Sequence, residues 1–141
     1  MLAVDAQGER LGLTVGSLIS LSLDPALVGV AVSRQAAMHE LLRSAGRFGL
    51  SLLAAGQEAV AQHFARGVPP IALWHGIGWR PGPITGAPLV SDALGWIECD
   101  LSGEYATGDH TLFLGAVIGV ERGRVAAGPL VYVGRRYGTF A

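Results

Sequence analysis

Hydrophobic and polar residues alternate with a period of two along segment 11–23. The apolar set, all at odd-numbered positions, is Leu11, Leu13, Val15, Ile19, Leu21 and Leu23. The even-numbered set includes Gly12, Thr14, Gly16, Ser20 and Ser22. Because a period of two is typical of a β-strand with two unlike faces, we predict one long strand over 10–23 with its leucine side buried. The other face, made of hydroxyls and bare backbone, would then admit a planar ligand.

The remaining pattern predicts more strands and two short helices. An apolar run over 27–32 follows Asp24-Pro25 and ends at Ser33, and a helical pattern begins at about Gln35 and stops at Gly46. Further elements are predicted strands over 1–5, 47–54, 94–103, 111–121 and 125–133, a second helix over 57–66, and mostly irregular chain over 67–88. Many strands beside two helices favour a mainly β fold with a closed sheet, since closure removes exposed strand edges.

Composition and charge narrow the class of protein. The chain has 141 residues, which suits one domain over 1–141 with a buried core. Its formal net charge of −1 offers no attraction to a phosphate backbone, so we expect no nucleic-acid partner. The uncharged run 11–23 is shorter than the ~20 residues of a membrane-spanning helix, and residues 1–5 lack the basic region of a secretory signal. We therefore expect no membrane association and a cytoplasmic location.

The cysteine and the histidines point to no metal or thiol chemistry. Cys99 is the only cysteine and lies in a predicted strand, which excludes an intrachain disulfide and disfavours a nucleophile. The four histidines are His39, His63, His75 and His110. No pair of them has the spacing that metal motifs favour, so we expect no metal site.

The end of the predicted strand at Ser33 is a candidate site for an anionic group. The first N–H groups of a helix lack partners inside it, and the helix dipole favours negative charge there. Arg34 would add a guanidinium at the same place. The pattern alone leaves an alternative open, in which segment 12–34 forms two purely structural strands and Ser33 only caps the helix.

Three segments resemble the signatures of a known family, in the family's order. They are G-L-T-V-G-S-L-I-S-L-S-L-D-P-A-L-V from residue 12, G-D-H-T-L-F-L-G-A-V from residue 108 and P-L-V-Y-V-G-R-R-Y-G from residue 129. With them, the chain resembles the flavin reductase-like, FMN-binding split-barrel proteins. The resemblance implies a Greek-key-like split β-barrel with two flanking helices, FMN or else FAD as cofactor, and NAD(P)H as co-substrate. It also implies a homodimer and a flavin-dependent oxygenase that receives reduced flavin.

The resemblance further implies which residues form the site. The flavin ring would lie beside Thr14, Val15, Gly16, Ser17, Leu18 and Ser20, whose N–H groups and hydroxyls would meet the N1–C2=O and N5 edges. The phosphate side would lie near Val32, Ser33, Arg34 and His39, and further contacts would come from Phe64, Tyr132, Arg136 and Tyr137. His110 would be the catalytic residue, positioning the nicotinamide within hydride-transfer distance and assisting proton delivery.

Some positions depart from the family pattern or have a plain structural interpretation. Gly16, Ala36 and Met38 replace hydroxyl residues that the family often carries, which is compatible with a flavin that exchanges as a substrate. Other candidates also have a plain structural interpretation. His110 would be a turn residue that caps Asp109, and Phe64 would be a core residue. Arg135 and Arg136 would be a solvated pair on the surface.

The favoured function is an NAD(P)H-dependent flavin reductase. The alternative is an FMN-binding electron carrier or storage protein of the same fold without nicotinamide turnover. A third interpretation, a relative that binds heme or pyridoxamine phosphate, has no sequence feature that singles it out.

Overall fold

The computed structural model describes residues 1–140, and strands dominate them. The strands are β1 (Leu2–Ala6), β2 (Glu9–Leu13), β3 (Ile19–Leu23), β4 (Ala26–Ser33), β5 (Arg47–Leu52), β6 (Trp79–Pro81), β7 (Pro88–Val90), β8 (Gly95–Thr107), β9 (His110–Arg122), β10 (Leu130–Val133) and β11 (Arg136–Thr139). The helices are α1 (Ala37–Ala45) and α2 (Glu58–Ala65), with short 3-10 turns at Pro70–Ala72 and Val125–Ala127. The predicted mainly β fold with two short helices is confirmed.

Seven strands form one antiparallel sheet in the order β2-β1-β5-β8-β9-β4-β3. The edge strands β2 and β3 are consecutive in sequence and are joined by residues 14–18, which we call the crossing segment. A flat sheet would hold its edges about 29 Å apart, whereas the six steps from Leu13 to Ile19 span at most about 22 Å. The sheet is therefore curled, and the crossing segment closes the gap between its two edges.

The predicted single strand over 10–23 is wrong in its middle, because the chain leaves the sheet at the crossing segment. The alternation continues across the break since β2 and β3 are both strands, but they pair with different partners at opposite edges. Thr14 and Ser17 of the crossing segment make their hydrogen bonds to α2 and β4 rather than to a neighbouring ladder. A strand pattern cannot reveal a change of sheet edge.

The prediction of a buried leucine side holds for β2 and is wrong for β3. Leu11 and Leu13 are half-buried and pack against the main core, whereas Gly12, on the side predicted to be open, is buried against Met1 and Phe64. Ile19, Leu21 and Leu23 are 46%, 44% and 89% exposed. The side chains of Ile19 and Leu21 lie over Gly29 on the outer face of the sheet, because β4 already fills the inner face with valines.

Helix α1 covers the barrel interior and begins later than predicted. Met38 and Leu42 are buried in the main core, whose other members include Leu2, Val4, Val30, Val32, Phe48, Leu50, Cys99 and Phe113. The helix ends as predicted at Gly46, whose φ of +67° favours glycine and whose N–H donates to the Leu42 carbonyl. Its N-cap position is Ala36, so Ser33 is not the helix cap; the Ser33 hydroxyl accepts from the Gln35 N–H instead.

The C-terminal chain differs from its predicted single strand over 125–133. Val125–Ala127 is a 3-10 turn, only Leu130–Val133 is extended, and β11 was not predicted. Strands β10 and β11 form a separate hairpin that turns at Gly134 and Arg135. The Gly- and Pro-rich stretch 67–88 is mostly irregular, as predicted, apart from the short β6 and a 3-10 turn.

No helix within residues 1–140 is long and apolar enough to cross a membrane. Over the same residues, no three His, Cys, Asp or Glu side chains are grouped as a metal site.

Candidate functional site

A groove of about 470 Å³ lies against the crossing segment, and we call it the main groove. It is lined by Thr14, Val15, Gly16 and Leu18 of the crossing segment and by Tyr132 and Tyr137 of the C-terminal hairpin. The structure therefore brings together six of the predicted flavin contacts. Apolar side chains complete the groove: Leu52, Leu53, Ala61, Leu94, Pro129 and Leu130.

The crossing segment is fixed at both of its ends by hydrogen bonds to the backbone of other elements. Thr14 donates its N–H to the Phe64 carbonyl over 3.3 Å and its hydroxyl to the Ala61 carbonyl over 2.7 Å. The Ser17 hydroxyl donates to the Ala31 carbonyl over 2.9 Å and accepts from the Ala31 N–H over 3.0 Å. These two hydroxyls, predicted as flavin contacts, are therefore committed to holding the segment in place.

The groups left free on the crossing segment are its backbone donors. The N–H groups of residues 15–18 have no hydrogen-bond acceptor among residues 1–140. A Cβ atom built on Gly16 would meet no other atom within 4 Å, so the space above this residue is open. Free N–H donors beside open, mostly apolar space fit a flat heterocycle that carries acceptor atoms on one edge, as the flavin ring does.

A second group of predicted residues meets where β4 and β9 end. Ser33 and His110 are partners in the antiparallel ladder, and the Arg34 N–H donates to the Asp109 carbonyl over 3.0 Å. The Arg34 guanidinium forms no ion pair with any carboxylate of residues 1–140. The start of α1 follows directly, without a side-chain cap on its first N–H groups. This end of the barrel has the donors and positive charge that an anionic group requires.

His110 lies in this second group and outside the lining of the main groove. Its side chain is 45% exposed, and Nδ1 lies 2.8 Å from Asp109 Oδ1. This hydrogen bond and the charge of His110 lower the pKa of the Asp109 carboxyl. The structure thus contains the contact expected of a turn histidine, and Nε2 has no hydrogen-bond partner among residues 1–140.

Three other predicted contacts have buried side chains. Val32 and Phe64 are 1% exposed and belong to the two hydrophobic clusters, where Phe64 stacks at 4.8 Å against Trp74. His39 is 3% exposed, with Nε2 2.7 Å from Thr111 Oγ1 and Nδ1 3.0 Å from Glu40 Oε1. These side chains support the walls around the site, and the backbone of Phe64 holds Thr14.

The other two predicted contacts lie at the edges of the site. Ser20 is exposed on β3 and lines none of the grooves described here. Arg136 lines a neighbouring cleft that opens beyond Tyr132 and Tyr137.

Sequence reasoning missed the apolar wall of the main groove. Leu52, Leu53 and Leu94 come from the end of β5 and the start of β8, far from the three signature segments. Their spacing is that of ordinary core residues, and only the closure of the barrel brings them opposite Gly16. No local signal in the sequence distinguishes them.

Comparisons with known proteins agree on one family. A family model described as "Flavin reductase like domain" matches residues 1–141. An NADH-dependent FAD reductase from Streptomyces globisporus is 39% identical over 135 residues, which cover 94% of this chain and 74% of that protein. The reductase component of a 4-hydroxyphenylacetate 3-monooxygenase from Thermus thermophilus is 42% identical over 129 residues, covering 92% of this chain and 78% of that protein.

The fold is shared with solved structures as well. The Streptomyces globisporus NADH:FAD oxidoreductase SgcE6, solved in complex with NAD and FAD fragments, matches with a TM-score of 0.93 at 37% identity. The match covers 99% of this chain and 82% of that one. The predicted split-barrel fold and the family resemblance are both confirmed. This chain belongs to the flavin reductase-like family.

Proposed function

We propose that this chain is an NAD(P)H-dependent flavin reductase whose flavin ring binds in the main groove. The observation that carries the proposal is the crossing segment, whose N–H groups at 15–18 are free and whose Gly16 leaves open space above it. Relatives named as NADH-dependent flavin reductases support the reaction.

The crossing segment supplies the electrostatics that flavin reduction needs. Hydride transfer to N5 of a bound flavin would leave negative charge near N1 and C2=O. Backbone N–H groups fixed by Thr14 and Ser17 stabilise that charge without reorganising, because both ends of the segment are hydrogen-bonded. The apolar wall of Leu52, Leu53 and Leu94 excludes water from the ring.

The groups at the end of β4 would hold the anionic part of a ligand. Arg34 and the uncapped first turn of α1 offer charge and donors there, and Ser17 ties the crossing segment to Ala31, two residues before Ser33. His110 is the ladder partner of Ser33 and would position the nicotinamide as the catalytic residue. The proposed site therefore runs from Gly16 towards the start of α1.

We propose that the flavin exchanges as a substrate and that FMN and FAD are both accepted. Ala36 offers no hydroxyl at the start of α1, and Met38 is 1% exposed, so neither side chain adds a polar contact to a flavin. Relatives are named as reductases of FAD and of FMN. Exchange would let reduced flavin reach a separate oxygenase, as the name of the Thermus thermophilus reductase component indicates for that protein.

We also propose a homodimer that forms through β3. This edge strand carries Ile19, Leu21 and Leu23, three large apolar side chains that remain 44–89% exposed. An exposed apolar edge strand is a surface that proteins usually pair or cover. Leu21→Glu should therefore shift the protein to monomer in analytical ultracentrifugation, whereas Ile71→Glu, at a more exposed site away from β3, should not. We further propose that each subunit is one domain over 1–141. The protein would act in the cytoplasm, where NAD(P)H is available.

Steady-state turnover tests the proposed function. Purified protein with NADH and FMN, and separately with FAD, should lose absorbance at 340 nm at a rate that depends on flavin concentration. A yellow protein that oxidises neither NADH nor NADPH would instead be an electron carrier or storage protein. Submicromolar flavin affinity with slow release would contradict exchange while leaving the reductase reaction standing.

A further inference from the structure

A small pocket of about 90 Å³ lies between β8, β9 and the turn at 82–86, and we call it the Glu98 pocket. Apolar side chains form most of its walls, among them Ile84, Leu89, Trp96 and Val120. No residue lines both this pocket and the main groove. A ligand of the Glu98 pocket is therefore separate from the proposed flavin site, and its test does not depend on the proposed function.

The Glu98 side chain reaches this pocket from β8. It is 4% exposed and is the only buried acidic side chain of residues 1–140. Its oxygen Oε1 accepts hydrogen bonds from the N–H groups of Ile84 and Thr85 over 3.2 Å and 2.9 Å, and from the Thr85 hydroxyl over 2.7 Å. This one oxygen therefore holds the turn at 82–86 in place.

The second carboxylate oxygen of Glu98, Oε2, accepts no hydrogen bond from residues 1–140. No side-chain oxygen or nitrogen of these residues is sealed from solvent without a hydrogen-bond partner, so Oε2 is reached from the pocket. Gly119 keeps the space beside it open, because a Cβ atom there would lie 3.5 Å from Oε2 and 2.6 Å from Ile84 Cδ1. The pocket thus ends at a free carboxylate oxygen.

No basic side chain of residues 1–140 forms an ion pair with Glu98. Two arginines contact the lining of the pocket, but each is paired with another carboxylate. Arg80 pairs with Glu121 over 2.6 Å, and Arg47 pairs with Asp100 over 2.8 Å. Because a buried carboxylate is costly unless a cation or hydrogen-bond donors satisfy it, the free Oε2 favours a cationic ligand.

We propose that the Glu98 pocket binds a short primary alkylammonium group, from a small amine or from a lysine side chain of another protein. The ammonium would donate to Oε2 in a charge-assisted hydrogen bond, and its methylene chain would pack on Ile84, Leu89 and Val120. These 141 residues contain no lysine, so none of them supplies the group.

The shape of the pocket selects this class of cation. A divalent metal ion needs several oxygen ligands, and residues 1–140 contain no group of three metal-ligating side chains. An ammonium needs one carboxylate oxygen, and an apolar wall suits the chain that carries it. A volume of 90 Å³ is the share of about three water molecules, so only a short, unbranched chain fits.

Nuclear magnetic resonance gives a local readout, because Trp96 is the only one of the three tryptophans that lines the pocket. n-Butylammonium chloride is titrated into ¹⁵N-labelled protein, with sodium chloride keeping the ionic strength constant. The indole N–H signal of Trp96 should shift saturably with a Kd of about 1–10 mM, the range open to so small a ligand. The signals of Trp74 and Trp79 should not move.

Two substitutions test the role of Oε2 in different ways. Glu98→Gln removes the charge and keeps an oxygen to accept from the turn at 82–86, and it should weaken binding about tenfold or more. Gly119→Ala keeps the charge and narrows the space beside Oε2, so it should weaken binding as well. Glu9→Gln, at an exposed carboxylate outside the pocket, is the control and should bind like the unsubstituted protein.

Thermal unfolding checks that the variants remain folded, and Gly119→Ala keeps the test decisive if Glu98→Gln does not fold. The absence of a saturable Trp96 shift up to about 100 mM amine would overturn the proposal, since such a concentration exceeds the expected Kd at least tenfold. Equal affinity in Glu98→Gln and the unsubstituted protein would overturn it too. In either case Oε2 would bind water only.

Nα-acetyl-lysine methylamide distinguishes the two sources of the ammonium. If a lysine of another protein is the occupant, this compound should bind at least as tightly as n-butylammonium, because Ile84 and Val120 are 44% and 72% exposed and can contact its backbone. If only a free amine fits, it should bind about tenfold more weakly. Tighter binding of guanidinium chloride than of both amines would contradict the assignment to an ammonium group.

Discussion

The hydroxyl of Ser17 holds both polar groups of the Ala31 peptide, donating to its carbonyl at 2.9 Å and accepting from its N–H at 3.0 Å. One side chain thus replaces a missing strand-to-strand contact between the crossing segment and β4. Because the other end is held by Thr14, the N–H groups between the two anchors keep a fixed direction. The rigidity of this side of the main groove depends on this serine.

Ser17→Ala should lower both stability and flavin affinity. The substitution leaves the N–H and the carbonyl of a half-buried peptide unpaired, which costs about 1–3 kcal/mol in the free energy of unfolding. KM for flavin should rise several-fold, while KM for NADH changes less. Urea unfolding and steady-state kinetics measure the two effects. Ser17→Thr, which keeps the hydroxyl, should restore both, and Ser22→Ala should change neither; a flavin KM unaffected by Ser17→Ala would argue against an ordered crossing segment.

Substitutions at Gly16 should separate binding from folding. The space above Gly16 is open and its φ is not positive, so a side chain fits there without strain. Gly16→Leu would fill the main groove and abolish flavin binding, with a melting temperature close to that of the unsubstituted protein. Gly16→Ser would add a hydroxyl beside the ring and is expected to tighten binding. Fluorescence titration with FMN measures both.

The control for this pair is Gly138→Leu, at an equally open glycine that does not line the main groove. It should leave flavin affinity unchanged. Normal flavin binding by Gly16→Leu would show that the ring lies elsewhere.

The sequence singled out the residues of the crossing segment, but it did not predict the path that the backbone takes there. The order of Thr14, Gly16 and Ser17 within a family signature pointed to the flavin side; in the structure Thr14 and Gly16 line the main groove, and Ser17 ties the crossing segment to β4. The alternation that suggested one strand hid the crossing between sheet edges, because alternation reports only which side a residue faces. The exposure of Leu21 and Leu23 follows from the position of β3 at an edge, which no local pattern encodes.

Contacts between residues far apart in sequence explain the other differences between the sequence predictions and the structure. Arg66 follows α2 and Arg135 lies in the last hairpin, and only the tertiary fold brings them to one cleft. The resemblance implied that His39 lies on the phosphate side of the site, yet its ring is buried and hydrogen-bonded to Thr111 of β9. Gly46, by contrast, was predictable because a left-handed residue after a helix is a local requirement.

Cys99 should make stability fall at alkaline pH. Burial, with smaller contributions from the charges of Asp100 and Glu98, raises the pKa of its thiol from 9.0 to about 12. Above pH 9 the unfolded chain loses this proton while the folded protein keeps it, so the free energy of unfolding falls as pH rises towards 12. The slope contributed by this group approaches about 1.4 kcal/mol per pH unit.

Urea unfolding between pH 8 and pH 10.5 measures this slope, and Cys99→Ala should be less stable at pH 8 but show a shallower decline. Native protein should also resist thiol reagents that modify the unfolded chain. Equal slopes in the two proteins, or rapid labelling of the native thiol, would contradict the buried, neutral state.

His110→Ala should raise KM for NADH about five- to tenfold and KM for flavin much less, since the loss of one hydrogen bond costs about 1–1.4 kcal/mol. The reason is its place beside Ser33 and Asp109, outside the groove proposed to receive the flavin ring. Asp109→Asn removes the negative charge that orients the imidazole and should give a smaller change in the same direction. His75→Ala, an exposed histidine with no side-chain hydrogen bond to residues 1–140, is the matched control and should behave like the unsubstituted protein. A larger effect on KM for flavin than on KM for NADH would remove His110 from the nicotinamide side and leave it as a turn residue paired with Asp109.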